Sequence, residues 1–502
     1  MITDHERLDA LLDGACDRFA DRPALTGGGR TLTYAALADE AARSRAALAA
    51  AGHRAAGPVV VRVGNDPADL AAQLAVWQAR GVVVPVHRSS PDAVLRETAE
   101  RTGARLVLDG TRPAGDLVRT TGAASAPAPR ELDARQALVA FTSGTTGRPK
   151  GVVLSHRALA GKLRAIQQVL PFRPDDQALQ VLQLNFTFGQ WTSLLTLATG
   201  GTLHLLPRFH APAVLARLAT GRTDRIAVVP SMLRLVDREL STPDSGPRLR
   251  DALRASGGPG TWITGGEPLP AGLGRRLRAA LPGSGIADVY GLSETSTSDF
   301  VLPPDRYDTA AGTIGRPGPG VEFRIAAGDG PPLPAVPGTT GELCLRTPYL
   351  MTGYLDDPAA TGAAVDGGWL RTGDLAVVRP ADGMVELVGR RRQLISRGGV
   401  KIAPLEVERP YADHPGTAGC LAVGVPDPML GERVHLVCVP APGADPTEEE
   451  LRAHGRLHLE PYHVPERVHF VSELPLGRTG KTDRAAAARL AADAPDRTEA
   501  AG

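Results

Sequence analysis

The segment FTSGTTGRPKG, residues 141–151, is the most informative stretch of this 502-residue sequence. It follows the apolar run ALVA, so a buried strand leads directly into a loop of glycines and hydroxyl side chains. Glycines let backbone N–H groups converge on phosphate oxygens, hydroxyls donate hydrogen bonds, and lysine adds positive charge. The sequence therefore predicts a phosphate-binding loop with the candidate residues Thr142, Ser143, Gly144, Thr145, Thr146 and Lys150.

This loop is not a Walker-type P-loop. The pattern G-x-x-x-x-G-K-[ST] requires a hydroxyl residue after the lysine, whereas Lys150 follows a proline and precedes Gly151. P-loop NTPases are therefore disfavoured. A solvated glycine-rich hairpin is the plainer interpretation of any three of these residues, but the complete string favours phosphate binding.

Six further segments accompany the loop, in an order that resembles the adenylate-forming superfamily of acyl-CoA synthetases, aryl-acid ligases, luciferases and nonribosomal adenylation domains. They are ITGGEPL near 263, YGLSET at 290, GELCLR at 341, WLRTGDL at 369, GRRRQLISRGG at 389 and GRTGK at 477. The resemblance covers almost the whole chain. It implies an enzyme that uses ATP to activate a carboxylic acid as its acyl-adenylate.

The resemblance also implies a nucleotide site. The turn at 265–267 would lie against the adenine, where glycine permits close backbone approach, and a tyrosine would stack on the base. An aspartate would accept both ribose hydroxyls, since a carboxylate accepts two hydrogen bonds from a vicinal diol, and an arginine would contact the nucleotide. The implied residues are Gly265, Gly266, Glu267, Tyr290, Asp374 and Arg390.

Two charged residues match the family's catalytic positions. Glu294 matches the magnesium-associated carboxylate, and one carboxylate suffices for Mg²⁺ that also bridges phosphates. Lys481 matches the lysine that contacts the substrate carboxylate and the α-phosphate, stabilising charge as pyrophosphate leaves. Taken alone, Glu294 would be a helix-start carboxylate and Lys481 a surface lysine.

The segment NFTFGQWTSLL, residues 185–195, falls where the family builds its acid pocket. Amino-acid-activating members place an aspartate after the first aromatic residue to pair with the α-ammonium, and Thr187 occupies that place here. A buried ammonium without a carboxylate is costly, so an aryl or short acyl acid is predicted instead of a plain α-amino acid. The candidate pocket residues are Thr187, Phe188, Trp191, Thr264, Val289 and Ile314.

Gly398 and Gly399 resemble the stretch that lines a tunnel for a pantetheine thiol after the small lobe rotates. The implied acceptor is coenzyme A or a carrier-protein phosphopantetheine, and an acyl carrier protein is expected to act in trans. The histidine of many acyl-CoA ligases is missing, and the hinge position, usually Asp or Lys, is Arg392. Adenylation is therefore better supported than thioester formation. A non-thiol acceptor or a non-carboxylate acid, as in amide-forming or diazotising relatives, stays the alternative.

The predicted fold class is α/β, with a large N-terminal lobe of parallel-rich sheets flanked by helices and a small, mobile α+β lobe. Residues 58–86 read as strand, helix and strand, a unit that predicts parallel sheet. Elements become shorter from residue 390 onward. The predicted division is 1–389 for the domain with the ATP and acid sites, 390–392 for the hinge, and 393–502 for the lid domain carrying Lys481.

Composition excludes several classes of function. A net charge of +1 gives no electrostatic footprint for nucleic acid, so a small-molecule acid is the expected partner. The four cysteines form no CxxC pair, and neither a signal peptide nor a membrane-spanning apolar run is evident. We therefore expect a cytoplasmic location and no membrane partner. A catalytically dead scaffold is disfavoured, because Lys150, Glu294, Asp374 and Lys481 are all present.

Overall fold

The strand-helix-strand unit predicted for residues 58–86 is present in the computed structural model, which describes residues 7–121, 132–142, 149–328, 330–477 and 480–494. Strands Pro58–Val63 and Val82–His87 pair in parallel, and helix Pro67–Gln78 connects them. The Asp66 carboxylate accepts a 2.9 Å hydrogen bond from the Ala68 N–H, which begins the helix. Because the helix returns the chain to the starting edge of the sheet, the two strands that it connects run in the same direction.

Two parallel-rich sheets form the centre of the large lobe. Their edges are completed by antiparallel strands. The nine-stranded sheet has the order Arg316–Pro317, Phe300–Leu302, Gly285–Tyr290, Pro259–Gly265, Thr223–Val228, Gln177–Gln180, Thr202–Leu205, Pro23–Gly27 and Arg30–Thr33. The seven-stranded sheet has the order Gly353–Tyr354, Lys150–Ser155, Gln136–Thr142, Val82–His87, Pro58–Val63, Leu106–Leu108 and Val118–Thr120.

Helices cover both sheets and fill the space between them. The largest core takes residues from both sheets and from helices of the layer between them, and separate cores lie on their outer faces. Val59 and Val61 face the shared core while Val60 faces the outer one, as the two-residue period of a strand requires. The large-lobe helices are Leu8–Arg18, Tyr34–Ala50, Pro67–Gln78, Asp92–Thr102, His156–Val169, Thr187–Thr199, Ala211–Thr220, Pro230–Ser241, Gly246–Ala255, Ala271–Ala280, Tyr307–Ala310 and Pro358–Ala364.

A third, antiparallel sheet extends the large lobe toward the small one. Its strands are Pro332–Pro334, Glu322–Ala326, Thr340–Arg346, Trp369–Val378, Val365–Asp366 and Val385–Arg390. The small lobe has a five-stranded sheet of Val400–Ile402, Ile395–Arg397, Gly431–Pro440, Thr417–Asp427 and Arg467–Phe470. Helices Pro404–Ala412, Glu448–His458 and Arg484–Asp493 pack on it.

The α/β fold class with a large and a small lobe is thus confirmed. The predicted hinge at 390–392 begins at the last residue of strand Val385–Arg390 of the third sheet and ends before strand Ile395–Arg397 of the small-lobe sheet. In the described ranges, every helix is too short or too polar to cross a lipid bilayer. The four cysteines are unpaired thiols.

Candidate active site

A cavity of about 1360 Å³ opens at the carboxyl edge of the nine-stranded sheet, where the two lobes meet. Several of its lining residues directly follow the carboxyl ends of the parallel strands Gln177–Gln180, Thr223–Val228, Pro259–Gly265 and Gly285–Tyr290. Open α/β sheets bind their ligands at this edge, because the loops that follow the strands converge there. The cavity is therefore the candidate active site.

One end of the site is built around the buried carboxylate of Asp374. The Tyr290 hydroxyl donates a hydrogen bond to Asp374 Oδ2 at 2.8 Å, and Arg390 Nε lies 2.7 Å from Asp374 Oδ1. The carboxylate raises the pKa of Arg390, and withdrawal from water raises the pKa of Tyr290 well above its usual value. Each carboxylate oxygen keeps a further lone pair, so Asp374 can still accept a vicinal diol.

A smaller cavity adjoins this end and is lined by Gly266, Tyr290 and Ile314. Asp288 also lines it, and burial raises the pKa of this carboxyl group to about 8. Asp288 was not predicted from the sequence, although a carboxylate inside the otherwise apolar strand segment GIADVY is a usable signal. Its side chain adds a polar group to the space beside the ring of Tyr290.

Lys481 reaches the cavity from the small lobe and lies against Gly266. A Cβ atom at Gly266 would stand 2.9 Å from Lys481 Cε and 3.0 Å from its Nζ, and the backbone there has φ of +84°. Glycine is required for both reasons. Burial lowers the pKa of Lys481, while the nearby Glu267 carboxylate acts in the opposite direction.

The loop that carries Lys481 is hydrogen-bonded to the large lobe. The Thr482 N–H donates to Glu267 Oε1 at 2.6 Å, and the Ser231 hydroxyl donates to the Gly480 carbonyl. Glu267 is also 3.4 Å from Arg234 Nη2. The small lobe is therefore closed over the cavity with its lysine inside.

A second cluster of polar side chains lies at another part of the cavity wall. The Tyr354 hydroxyl donates to Glu294 Oε1 at 2.8 Å, and Lys150 Nζ lies 4.5 Å from the centre of the Tyr354 ring. Burial and the Glu294 carboxylate raise the pKa of Tyr354. Thr142 lines the cavity nearby. Tyr354 was missed in the sequence, because nothing local marks it as a partner of a residue 60 positions away.

The predicted phosphate loop is described only at its two ends. Ser143, Gly144, Thr145 and Thr146 lie outside the described residues. Thr142 and Lys150 flank that segment as the paired ends of two antiparallel strands, and both line the cavity.

The acid-pocket candidates separate into three groups. Thr187, Phe188 and Val289 line the large cavity, and the Thr187 hydroxyl is 3.1 Å from that of Ser293. Ile314 lines the smaller cavity instead. Other lining residues on this side are Gln183, Phe186, Phe209, Val229, Met232 and Arg208. The wall is therefore largely apolar and partly aromatic.

Trp191 and Thr264 form the layer behind that wall. Trp191 is 2% exposed and stacks on Phe188, with ring centres 5.8 Å apart. Thr264 is fully buried in its strand, and its hydroxyl has no hydrogen-bond partner among the described residues. Neither lines the large cavity, so any influence on the pocket passes through their neighbours.

Gly398 and Gly399 lie away from the cavity. They form the exposed turn between strands Ile395–Arg397 and Val400–Ile402, with φ of +55° and +88°. In this closed orientation of the lobes they do not line it. Their predicted contact with a thiol acceptor therefore requires another orientation of the small lobe.

Comparison with known families gives two matches. The family described as "AMP-binding enzyme" matches residues 12–355, and the one described as "AMP-binding enzyme C-terminal domain" matches residues 406–481. Among curated proteins, a feruloyl-CoA synthase of Amycolatopsis is 33% identical over 475 residues, which cover 91% of this chain and 94% of the relative.

Solved structures agree in fold. An anthranilate CoA ligase in complex with anthranoyl-AMP superposes with a TM-score of 0.84 at 22% identity, covering 98% of both chains. The amide bond synthetase McbA of Marinactinospora thermotolerans superposes with a TM-score of 0.81 at 28% identity, covering 97% of this chain and all of the other.

Proposed function

Because the chain belongs to the AMP-binding enzyme family, we propose that it is an AMP-forming acid–thiol ligase that couples ATP cleavage to activation of a carboxylic acid. The observation that carries this proposal is the convergence of three separate groups on the large cavity and on the smaller cavity that adjoins it, with Arg390 lining both. Lys481 arrives from the small lobe, Asp374 with Tyr290 and Arg390 forms one wall, and Glu294 with Tyr354 and Lys150 forms another.

The residues have distinct roles in the proposed first step. Asp374 accepts the ribose hydroxyls, while Tyr290 offers a ring face to the adenine and Asp288 a polar group beside it. The carboxylate oxygen of the acid attacks the α-phosphorus of ATP, forming an O–P bond while the bond to the pyrophosphate oxygen breaks. Lys481 stabilises the charge that develops on the α-phosphate and the attacking carboxylate.

The residues present suit a magnesium ion shared with phosphates. Glu294 uses Oε1 for Tyr354, and its other oxygen has no hydrogen bond to any residue that the structure describes. No group of three or more His, Cys, Asp or Glu ligands is found in the described ranges. A magnesium ion bound through one carboxylate takes its other oxygen ligands from substrate phosphates and water. When bound, the ion neutralises charge on the transferring phosphates. Glu294 would hold it, and Tyr354 would orient Glu294.

The proposed substrate is an aryl or short acyl acid. Phe188, Phe209 and Met232 give this side of the cavity an apolar and aromatic surface. Two carboxylates line the large cavity in the described chain: Glu342 is engaged by two arginines, and Glu294 is bonded to Tyr354 through one oxygen and assigned to the metal through the other. A carboxylate partner for an α-ammonium is thus missing from the described wall, which disfavours plain amino acids.

The proposed second step transfers the acyl group to a thiol. The sulfur attacks the adenylate carbonyl, a thioester bond forms, and AMP leaves with the former acid oxygen. Coenzyme A is the favoured acceptor because the feruloyl relative is named for a coenzyme A product. A carrier-protein phosphopantetheine is the second thiol source.

An amine acceptor is the alternative that a specific observation supports. The amide bond synthetase is 28% identical over nearly the whole chain, and Gly398 and Gly399 stand away from the cavity in this orientation. A diazotising reaction with nitrite has no comparable support from the site, so it ranks below the amide reaction.

An ATP–pyrophosphate exchange assay with a panel of aryl, short acyl and amino acids tests the proposal. We expect exchange with aryl or short acyl acids and none with amino acids. Silence across the panel from a folded, ATP-binding enzyme would reject acid adenylation. Coenzyme A, a phosphopantetheinylated carrier protein and amines, added in turn to the best acid, then identify the acceptor by AMP release and mass of the product.

A further inference from the structure

The three consecutive arginines at residues 390–392 have different surroundings. Arg390 is paired with Asp374 at 2.7 Å, and Arg391 Nη1 lies 2.8 Å from Glu342 Oε2. Both carboxylates belong to the large lobe and are 3% exposed. Arg392 is exposed and has no hydrogen bond or ion pair with any residue that the structure describes.

Glu342 holds Arg391 as one member of a network. Arg371 Nη1 lies 2.9 Å from the same oxygen, and the Gly373 N–H donates to Glu342 Oε1 at 3.0 Å. A buried carboxylate with several charge-assisted partners is a firm anchor. The segment is therefore fixed to the large lobe through two arginines, whereas the third has no carboxylate partner among the described residues.

Arg392 lines the cavity beside the residues of the proposed phosphate and metal end. It shares that wall with Lys150, Glu294 and Tyr354. Its positive charge acts on the Tyr354 hydroxyl, where it opposes the increase in pKa caused by burial and by Glu294. Lys150 and Arg392 thus bring two positive charges to a wall where Glu294 is the lining carboxylate, and Asp357, which also acts on Tyr354, does not line the cavity. The excess of positive charge on this part of the lining attracts an anion.

The position of this excess selects part of the ATP molecule. With the ribose at Asp374 in the smaller cavity and the α-phosphate at Lys481 in the large one, the two outer phosphates extend into the large cavity, which Lys150, Glu294 and Arg392 line. A guanidinium group matches phosphate oxygens with two parallel donors. We propose that Arg392 binds the β- and γ-phosphates of ATP and thereby ties the hinge to the adenylating orientation of the small lobe.

This inference rests on the proposed adenylation and adds a coupling to it. The phosphates that Arg392 holds are those that leave as pyrophosphate, so their departure removes one tie on the hinge. The closed orientation then loses stabilisation only after the adenylate has formed. A ligand can shift a conformational equilibrium by no more than its differential affinity for the two states, so pyrophosphate itself should favour closure.

Calorimetric titration of the full chain with ATP and with AMP tests the contact. We expect Arg392→Gln to weaken ATP binding about tenfold, as the loss of one charge-assisted contact implies, and to leave AMP binding within about twofold. Arg392→Lys should recover part of the ATP affinity, because the charge is kept and the bidentate geometry is lost. Arg96→Gln removes an exposed charge on helix Asp92–Thr102, which contributes no residue to the cavity lining, and should change neither the ATP affinity nor the AMP affinity.

A fluorophore pair with one label on each lobe tests the coupling. Pyrophosphate added to the AMP-saturated wild type should increase the closed population, and the Arg392→Gln variant should not respond. Equal losses of ATP and AMP affinity, unchanged ATP affinity, or identical pyrophosphate responses would overturn the inference. If the wild type binds ATP but has the same nucleotide affinities and the same response to pyrophosphate as Arg392→Gln, this inference alone is rejected. If a folded wild type binds no ATP, the proposed function is rejected.

Discussion

Glu267 Oε1 accepts a 2.6 Å hydrogen bond from the backbone N–H of Thr482, the residue that follows Lys481. The family resemblance alone assigns Glu267 to the adenine side of the site. In the closed molecule its carboxylate also joins the lobes. We expect Glu267→Ala to slow adenylate formation about tenfold, since a charge-assisted hydrogen bond contributes about 1.5–3 kcal/mol and closure is needed only to present the lysine.

Two rates are measured and compared. One is the pre-steady-state rate of adenylate formation, and the other is the rate of acyl transfer to the thiol from an adenylate prepared in advance. Transfer should be nearly unchanged in Glu267→Ala. Asp237→Asn is the control, because Asp237 pairs with Arg276 outside the cavity. Equal slowing of both steps would show that Glu267 supports something other than closure.

Lys481→Ala should lower the rate of adenylate formation by about 10²–10³-fold and leave ATP affinity nearly unchanged. The charge of Lys481 stabilises the transition state more than the bound nucleotide, so its removal affects the rate more than the ground-state affinity. Single-turnover kinetics and ATP titration measure the two quantities separately. Parallel losses in both would contradict this role.

Gly272→Ala should disfavour the closed orientation. A Cβ atom at Gly272 would stand 2.5 Å from Asp413 Oδ1 and 2.9 Å from the Ala412 carbonyl oxygen of the small lobe. Overpacking of this kind costs about 1–3 kcal/mol, so adenylate formation should fall about tenfold or more. Gly14→Ala is the matched helical control, because its Cβ would meet nothing within 4 Å. Equal rates in the two variants would mean that this contact does not limit closure.

Tyr354→Phe should raise the magnesium concentration needed for half-maximal adenylation about tenfold, the low end of the range for residues that orient metal ligands. The variant keeps the ring beside Lys150 and loses only the 2.8 Å hydrogen bond to Glu294. Glu294→Gln should have a larger effect. Magnesium titrations of these variants and of Tyr462→Phe, an exposed small-lobe tyrosine, decide the matter. An unaltered titration in Glu294→Gln would reject the metal assignment.

Asp288 should make the stability of the ligand-free protein depend on pH. Burial raises the pKa of this carboxyl group to about 8, so the folded protein holds a proton that the unfolded chain releases near pH 4. The contribution of Asp288 to the free energy of unfolding is fully present below pH 4 and is lost as pH rises to about 8. Between these values the free energy of unfolding falls by about 1.4 kcal/mol per pH unit. Urea unfolding at several pH values should show this slope in the wild type relative to Asp288→Asn. Parallel curves for the two proteins would contradict it.

Much of the site could be predicted from the sequence because each motif combines a backbone requirement with a chemical one. Gly266 illustrates this, since its positive φ and the approach of Lys481 both exclude a side chain. Asp374 could also be predicted from its motif, because a carboxylate can accept both hydrogen bonds of a vicinal diol. Tyr354 and Glu342 were not predicted. Their partners are distant in sequence, and neither lies in a pattern that specifies those partners.

The sequence by itself determined the two-lobed α/β fold and the residues proposed to contact ATP, because periodicity, capping, glycine-rich turns and short motifs are local properties. Only the tertiary structure decided which candidate aromatic residues line the large cavity. It places Phe188 on the cavity wall and Trp191 behind it, although both belong to the same helix. It also decided which hinge arginines are paired. Such outcomes depend on how separate sheets pack against one another, and no single segment encodes that geometry.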